Sequence, residues 1–408
     1  MVLIFLCILG LSPTAAASLA QTWEKTYHSI KIAYGISAET YQNTLEQPLY
    51  GPGQGSTIGP FLWLLCFILI FLSLGRQGPR ITLSATNNTG LVQYVGEAFV
   101  DDSGLGVNSS QDDQQLLISD LRILAQQWEK LLFSTGGALN LSKCFWFLLA
   151  WEWKGSTQVI QTSITALGTL YLTSESDPTQ IAIPRIEPSD TFRTLGVHIS
   201  PSGTNKGALK VLSAIVLDYC TAVKGSHFTR QEALTSYIQH LLPKLRFQPP
   251  LLSLSEADCD KLTSKLMMVL LPKLHINRHT ARSIVFGGER YGGLALPNPF
   301  IIQGVDKLRL FLGHLRINDR TGQLIFIDIS YLQLLAGCGT LFLNRDEKNF
   351  KWLETGWLQS LWSFTSRYSL KFLYPTGWVP STPRSHDRFL MDIFQERRLP
   401  VKDMRALN

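Results

Sequence analysis

The sequence predicts an α+β fold: a short antiparallel sheet in the first half of the chain, followed by helices. Residues 91–106 are typical of a β-hairpin, because an apolar run leads into two acids and then a glycine-containing turn. Residues 117–131 carry apolar side chains at steps of three or four, which predicts an amphipathic helix. Two capping boxes, which begin at Thr229 and Ser255, each precede a further apolar helical stripe.

Composition places the chain among folded proteins. Its 408 residues are enough for two or three domains, and 45% of them are hydrophobic while 17% are charged. The formal charge of +6 permits nucleic-acid binding without demanding it. The six cysteines are scattered and form no C-x-x-C pair, which argues against a cysteine metal cluster and a disulfide framework. We therefore expect a cytoplasmic or nuclear protein.

Two apolar runs bear on membranes. Residues 2–11 resemble the core of a signal peptide, but no Lys or Arg precedes them and Ser12-Pro13 ends the run early. A secreted or membrane-anchored protein is the alternative that this segment leaves open. Residues 61–74 form a run of 14 apolar-rich residues, shorter than the roughly 20 that span a bilayer. We expect a buried helix there and no membrane partner.

A glycine-rich segment at residues 51–60 precedes that apolar run. Four glycines lie within nine residues, so the backbone can approach a ligand closely. A loop that leads into a helix N-terminus offers free N–H groups to an anion such as a triphosphate, and Gln54 adds an amide. No lysine follows the glycines, which excludes a P-loop. The alternative is a loop between two core elements.

Asp101 and Asp102 form the centre of the predicted site. Two adjacent carboxylates at a tight turn repel each other unless a cation lies between them. Hard oxygen ligands suit Mg2+, which bridges to phosphates. The alternative is a solvated turn, since Asp and Gly are ordinary turn residues.

Further candidates follow along the chain. Lys143 precedes a β-rich run at residues 144–151, for which we expect a buried strand. A second predicted hairpin contains Leu195 and Gly196. The alternative to a binding role is a hairpin with a structural role only. After residue 204 the predicted helices carry seven cations against three anions on their polar faces. Four of these cations are candidate nucleic-acid ligands, or else solvated side chains: Lys261, Lys265, Lys273 and Arg278.

In its ordered motifs the chain resembles the palm of a reverse transcriptase, most similar to those encoded by retrotransposons. The motifs lie at residues 51–60, 99–102, 136–143 and 194–199, and the resemblance covers about residues 1–202. It implies a partial palm over residues 1–203, a helical thumb-like domain over 204–286, and an aromatic-rich helical region over 287–408. Glycine and proline clusters near residues 287–299 favour the second boundary.

The resemblance also implies an activity and its residues. The activity is RNA-templated DNA synthesis, with an RNA template, a DNA primer and deoxynucleoside triphosphates as partners. Asp101 and Asp102 would hold Mg2+ or Mn2+, and Lys143 would lie near the leaving pyrophosphate. The nucleotide and the template would be contacted by Gln54, Gly55 and Ser56. The primer end would be contacted by Leu195 and Gly196.

The chain departs from the family at its start. In the family the first palm strand carries another aspartate, which bridges both metal ions, but residues 1–20 contain no Asp or Glu. The basic fingers that bind the triphosphate also lie upstream in the family. We therefore expect an incomplete fragment with weak or no activity, which an upstream polypeptide would complete. The alternative is a remnant that binds nucleic acid without catalysis.

Overall fold

A computed structural model gives the architecture of most of the chain. The α+β class is confirmed, with short antiparallel hairpins followed by a mostly helical second half. The described residues are 6–7, 10–32, 35–42, 59–86, 90–100, 102–155, 157–175, 177–353, 356–382, 384–400 and 403–404.

The chain folds into two compact units. The first contains Met1–Thr82, Gln93–Ala150 and Gln161–Ile186, and the second contains Leu83–Val92, Trp151–Ile160 and Glu187–Asn408. The predicted boundaries at residues 203 and 286 both fall inside the second unit, and the division into three domains stays a prediction.

Among the described residues up to residue 183, the main elements are short hairpins and three helices of at least 13 residues. In order they are α1 Pro13–Lys25, β1 Tyr27–Ile32, β2 Gly35–Gln42, α2 Gly59–Gln77, β3 Ile81–Ser84, β4 Leu91–Tyr94, β5 Gly96–Phe99, β6 Asp102–Leu105, α3 Gln114–Ser134, β7 Trp151–Lys154, β8 Thr157–Ile160, β9 Leu170–Ser174 and β10 Asp177–Ile183. Each odd-numbered strand pairs with the even-numbered strand that follows it.

In the described residues from 184 onwards, one more hairpin and nine α-helices of five residues or more follow. They are β11 Phe192–Thr194, β12 Val197–Ile199, α4 Lys206–Gly225, α5 Arg230–Ser236, α6 Leu242–Phe247, α7 Glu256–Lys273, α8 Arg282–Phe286, α9 Pro299–Ile317, α10 Arg320–Ala336, α11 Trp357–Arg367 and α12 Leu390–Glu396. A π-helical turn, Tyr237–Leu241, joins α5 to α6.

The core of the first unit forms around α3. The side chain of Asp113 accepts a hydrogen bond from the Leu116 N–H at 2.9 Å, so the helix begins at Gln114, a few residues after the predicted start at Ser109 or Ser110. Trp128 packs against Phe67 of α2 with ring centroids 5.6 Å apart. Other side chains of α3 bind β9: Gln126 donates to the Thr173 carbonyl, and Glu129 accepts from Ser174.

Two predicted elements differ from the structure. The helix predicted at residues 61–74 forms as α2, but it is longer and only one of its faces is buried, since Phe61, Leu64, Ile68 and Leu72 are exposed. Among the described helices, α2 alone is long and apolar enough to cross a bilayer by length and composition.

The strand predicted at residues 144–151 was wrong. Residues 144–150 are extended but make only one isolated bridge, between Trp146 and Arg185. The next strand, β7, begins at Trp151. The backbone N–H of Trp146 donates to the Pro184 carbonyl and the Trp146 carbonyl accepts from the Ile186 N–H, so this aromatic-rich run makes a bridge rather than a strand.

Two apolar clusters stabilise the second unit. One centres on α4, α5 and α7, whose predicted capping boxes at Thr229 and Ser255 are both present. The other collects buried aromatic side chains of the C-terminal region, including Phe350, Trp352 and Trp362.

Candidate functional site

The predicted acidic hairpin is present in the first unit. Strands β5 and β6 pair from Gly96↔Leu105 to Phe99↔Asp102, which leaves a turn of two residues between Phe99 and Asp102. Asp102 is therefore the first residue after the turn, and it is exposed. Asp101 lies outside the described residues. So do the predicted nucleotide-side residues Gln54, Gly55 and Ser56.

Local features explain why the chain turns so tightly here. A Cβ on Gly96 would lie 2.2 Å from the Gly104 carbonyl oxygen, so only glycine allows this close approach. Val100 has a φ of 56°, a left-handed conformation that is strained for a β-branched residue. The Trp63 indole N–H of α2 donates to the Val100 carbonyl and so holds the tip against the helix.

The pairing register places a second carboxylate on the face of Asp102. Glu97 lies opposite Gly104, two residues along β6 from Asp102, and it is exposed. Because side chains alternate along a strand, Glu97 and Asp102 project from the same face as diagonal neighbours, about 7–8 Å apart. These hard oxygen ligands suit a divalent cation. Within the described residues, however, no group of three or more His, Cys, Asp or Glu is arranged to hold a metal ion.

Lys143 lies at the end of a 3-10 turn, Leu141–Lys143, and is exposed. Its segment shares a core with the hairpin, since Leu139 and Leu105 both pack into the cluster around Trp128. Within the described part of the chain, neither Lys143 nor Asp102 forms a salt bridge. The Lys143 ammonium is therefore a surface cation on a segment that packs into the same core as the hairpin.

The second hairpin, in the second unit, has a defined conformation. Leu195 and Gly196 have φ values of 48° and 82°, which is the pattern of a two-residue type I′ turn. A Cβ on Gly196 would lie 3.3 Å from the Phe247 ring, so the turn packs against α6. The backbone N–H of His198 donates to the Gln248 side chain at 3.2 Å. The hairpin tip, with Leu195 exposed, is thereby fixed to the helices.

The four predicted basic residues are not equivalent. Lys261 and Lys265 lie one turn apart on the exposed face of α7, and Lys261 is 3.6 Å from Asp258. Arg278 is exposed. Lys273 is only partly exposed, and its ammonium donates to the Ser226 carbonyl at 2.5 Å, near the end of α4. This lysine therefore has a structural bond as well as a charge.

Two further cations lie next to the second hairpin. Lys206 and Lys210 are exposed one turn apart at the start of α4. Gly207 between them allows the helix to approach Thr191 closely, because a Cβ there would lie 1.9 Å from the threonine hydroxyl. The Lys-x-x-x-Lys spacing was visible in the sequence, and a helical assignment from residue 206 would have identified the pair.

No family model matches the chain, and no curated protein sequence matches it.

Proposed function

We propose that this chain is the palm and thumb part of a reverse transcriptase related to those of retrotransposons. Its activity would be RNA-templated DNA synthesis, in the cytoplasm or nucleus. The observation that carries the proposal is the tight hairpin with Asp102 beside its turn, which packs against α2, the helix that precedes it, and α3, the helix that follows it, in the order that the family resemblance implies.

The residues would have distinct roles. Asp101 and Asp102 would hold Mg2+ or Mn2+, whose charge activates a primer 3′-hydroxyl and stabilises the leaving pyrophosphate. Lys143 would supply a cation or proton to the leaving group. Leu195 and Gly196, fixed on α6, would position the primer end. An RNA template, a DNA primer and deoxynucleoside triphosphates would be the partners.

We expect primer extension by the isolated chain to fall below detection. The resemblance assigns two of the three metal-binding carboxylates to residues of this chain, and positioning supplies most of the catalysis in phosphoryl transfer. The loss of a bridging ligand raises the barrier by about 4 kcal/mol or more, which is a factor of about a thousand. Addition of a segment with the missing aspartate and the fingers should restore extension. Template-dependent extension by the chain alone, lost in Asp101→Ala, would refute this expectation.

A thermal-shift experiment tests the metal site without requiring activity. If the Kd for Mg2+ is about 1 mM, 10 mM Mg2+ should stabilise the protein by about 1.4 kcal/mol. The double variant Asp101→Asn and Asp102→Asn should lose this gain, and should be more stable than wild type without Mg2+ because the like-charge repulsion is removed.

The chain offers a matched control for that experiment. Asp112 and Asp113 are another adjacent, exposed pair, and Asn also caps a helix well at position 113. The variant Asp112→Asn and Asp113→Asn should keep the Mg2+ response. A response that survives in the first variant, or disappears equally in both, would remove Asp101 and Asp102 from the site.

Nucleic-acid binding without catalysis is the second candidate function, and the exposed lysines of α7 favour it. Each lysine that contacts a phosphate contributes about 0.9 to the slope of log affinity against log salt. The variant Lys261→Gln and Lys265→Gln should therefore flatten the slope for duplex binding by about 1.8. The control Lys348→Gln and Lys351→Gln removes two other exposed lysines. Equal slopes in both variants would show that the α7 lysines are only solvated.

A further inference from the structure

A groove in the second unit lies between α6, the 3-10 turn Pro249–Leu251 and α9. Its volume is about 660 Å3. It is lined by Pro243, Arg246, Phe247, Pro250, Leu251, Asp306, Arg309 and Leu310. Five of these eight residues are apolar, and the three charged residues form one cluster.

The wall of the groove is held by hydrogen bonds. The Leu251 N–H donates to the Gln248 carbonyl at 3.0 Å and closes the 3-10 turn. The Trp357 indole N–H donates to the Pro250 carbonyl at 2.8 Å and ties the turn to α11. Two consecutive prolines further restrict the backbone. A ligand would therefore meet a preformed surface and would pay little entropy to order it.

Large apolar side chains on the groove face solvent. Phe247 is 59% exposed and Leu251 is 53% exposed. Exposed aromatic and aliphatic side chains beside arginines are the composition of binding hot spots in protein interfaces.

The charged cluster leaves a net positive charge. Arg246 donates through Nε and Nη2 to both oxygens of Asp306, at 2.8 and 3.0 Å, and Arg309 donates through Nη1 to the same carboxylate at 3.0 Å. The bond from Arg246 lowers the pKa of Asp306 and keeps it ionised, despite its partial burial. Two guanidiniums thus share one carboxylate. Each guanidinium has further N–H groups besides those that bond to Asp306, and more than half of each arginine side chain is exposed.

We propose that this groove binds an acidic amphipathic peptide segment of a partner protein. Apolar side chains of the peptide would pack on Phe247 and Leu251, while its carboxylates would accept hydrogen bonds from Arg246 and Arg309. The floor of prolines and leucines suits aliphatic side chains. Single-stranded nucleic acid would need several exposed aromatic rings for base stacking, and the groove has one. This inference does not depend on the proposed polymerase activity.

Fluorescence anisotropy with defined probes tests the inference on the full chain. The first probe is a labelled helical peptide with Leu and Phe at spacings of three and four and Glu at the positions between. The second contains the same residues in scrambled order, and the third is a labelled single-stranded oligonucleotide. We expect saturable binding of the first probe only.

Matched variants locate the binding. Each of the variants Arg309→Gln and Leu251→Ser should lower the affinity for the first probe by about tenfold. Arg316→Gln changes an exposed arginine further along α9, and Leu217→Ser changes a leucine that is also 53% exposed, on α4. Both controls should bind as wild type does. If the Arg309→Gln variant unfolds because its bond to Asp306 is lost, the Leu251→Ser variant alone tests whether the peptide binds in the groove.

Three results would overturn the inference. The first is no saturable binding of the amphipathic probe. The second is equal binding of the scrambled probe, which would indicate charge attraction alone. The third is that both variants, Arg309→Gln and Leu251→Ser, lower the affinity for the oligonucleotide and leave the affinity for the peptide unchanged. That result would make the groove a nucleic-acid site.

Discussion

Lys307, on α9, is fully buried, and its replacement by methionine should change how the stability of the protein depends on pH. No part of its side chain is exposed. Its ammonium donates to the Ser360 hydroxyl and lies 5.2 Å from the centre of the Trp357 ring. Neither partner carries a negative charge, and among the described residues the buried lysine has no ion pair to compensate it.

Burial lowers the pKa of Lys307 from 10.5 to about 7. In the unfolded chain the amine keeps its proton up to pH 10.5, so between pH 7 and 10.5 the unfolded state binds more protons, and stability rises with pH. At 1.36 kcal/mol for each pKa unit, the lysine destabilises the fold by about 5 kcal/mol well below pH 7, about 4 at pH 7 and about 3 at pH 8.5. The contribution of Lys307 to stability should therefore rise by between about 1 and 2 kcal/mol from pH 7.0 to 8.5.

Other groups limit the useful range of pH. Burial raises the pKa of the Cys259 thiol from 9.0 to about 12, so this cysteine ionises first in the unfolded chain. Above about pH 9 its effect lowers stability as pH rises, opposite in sign to that of Lys307. Burial raises the pKa of four other thiols in the same direction, those of Cys66, Cys144, Cys220 and Cys338. The wild type and Lys307→Met share these thiols, so the difference between the two proteins at pH 7.0 and 8.5 isolates the lysine.

Urea unfolding of Lys307→Met at these two pH values gives the test. The variant loses the hydrogen bond to Ser360 and the contact with Trp357, which together cost about 2 kcal/mol. It should still be about 2 kcal/mol more stable than wild type at pH 7.0, and this advantage should largely disappear at pH 8.5. The control Lys351→Met changes an exposed lysine. The reasoning would be refuted if the free energy of unfolding changed equally with pH in the wild type and in Lys307→Met.

Two further predictions concern the backbone. Val100→Asn should raise the free energy of unfolding by about 1 kcal/mol, because Asn tolerates the left-handed φ of this turn better than a β-branched residue does. Thermal melts check this, and a lower melting temperature would contradict it. Gly207→Ala should lower the free energy of unfolding by about 2 kcal/mol, since its Cβ would collide with Thr191, whereas Gly225→Ala, which meets nothing within 4 Å on the same helix, should change it little. Equal effects of the two alanines in urea unfolding would contradict the close packing of α4.

Several parts of this fold were predictable because their causes are local. The capping boxes at Thr229 and Ser255 join residues three apart, so the sequence contains both partners. The hairpin that carries Asp102 depends on an adjacent apolar run and a short turn. The hairpin at Leu195 and Gly196 depends on a glycine that accepts positive φ.

Other parts could not be predicted, because they depend on a distant partner. Residues 144–150 have strand composition, but a strand needs a neighbour to pair with, and the fold offers this run a single bridge. The apolar residues of α2 were evident, but which of its faces is covered depends on where α3 packs. Composition determines that a segment is apolar, and it does not determine how much of the segment is buried.

The sequence by itself determined the α+β class, the hairpin that carries Asp102 and the helix starts at Thr229 and Ser255, since these follow from the order of neighbouring residues. The tertiary structure decided that Glu97 lies on the face of Asp102, because strand register sets which side chains share a face. It also brought Arg246 to Asp306, 60 residues away, and enclosed Lys307 with no carboxylate among the described residues bonded to it. The contacts of Asp306 and Lys307 arise only when separate helices pack together, because no local interaction connects residues so far apart in the chain.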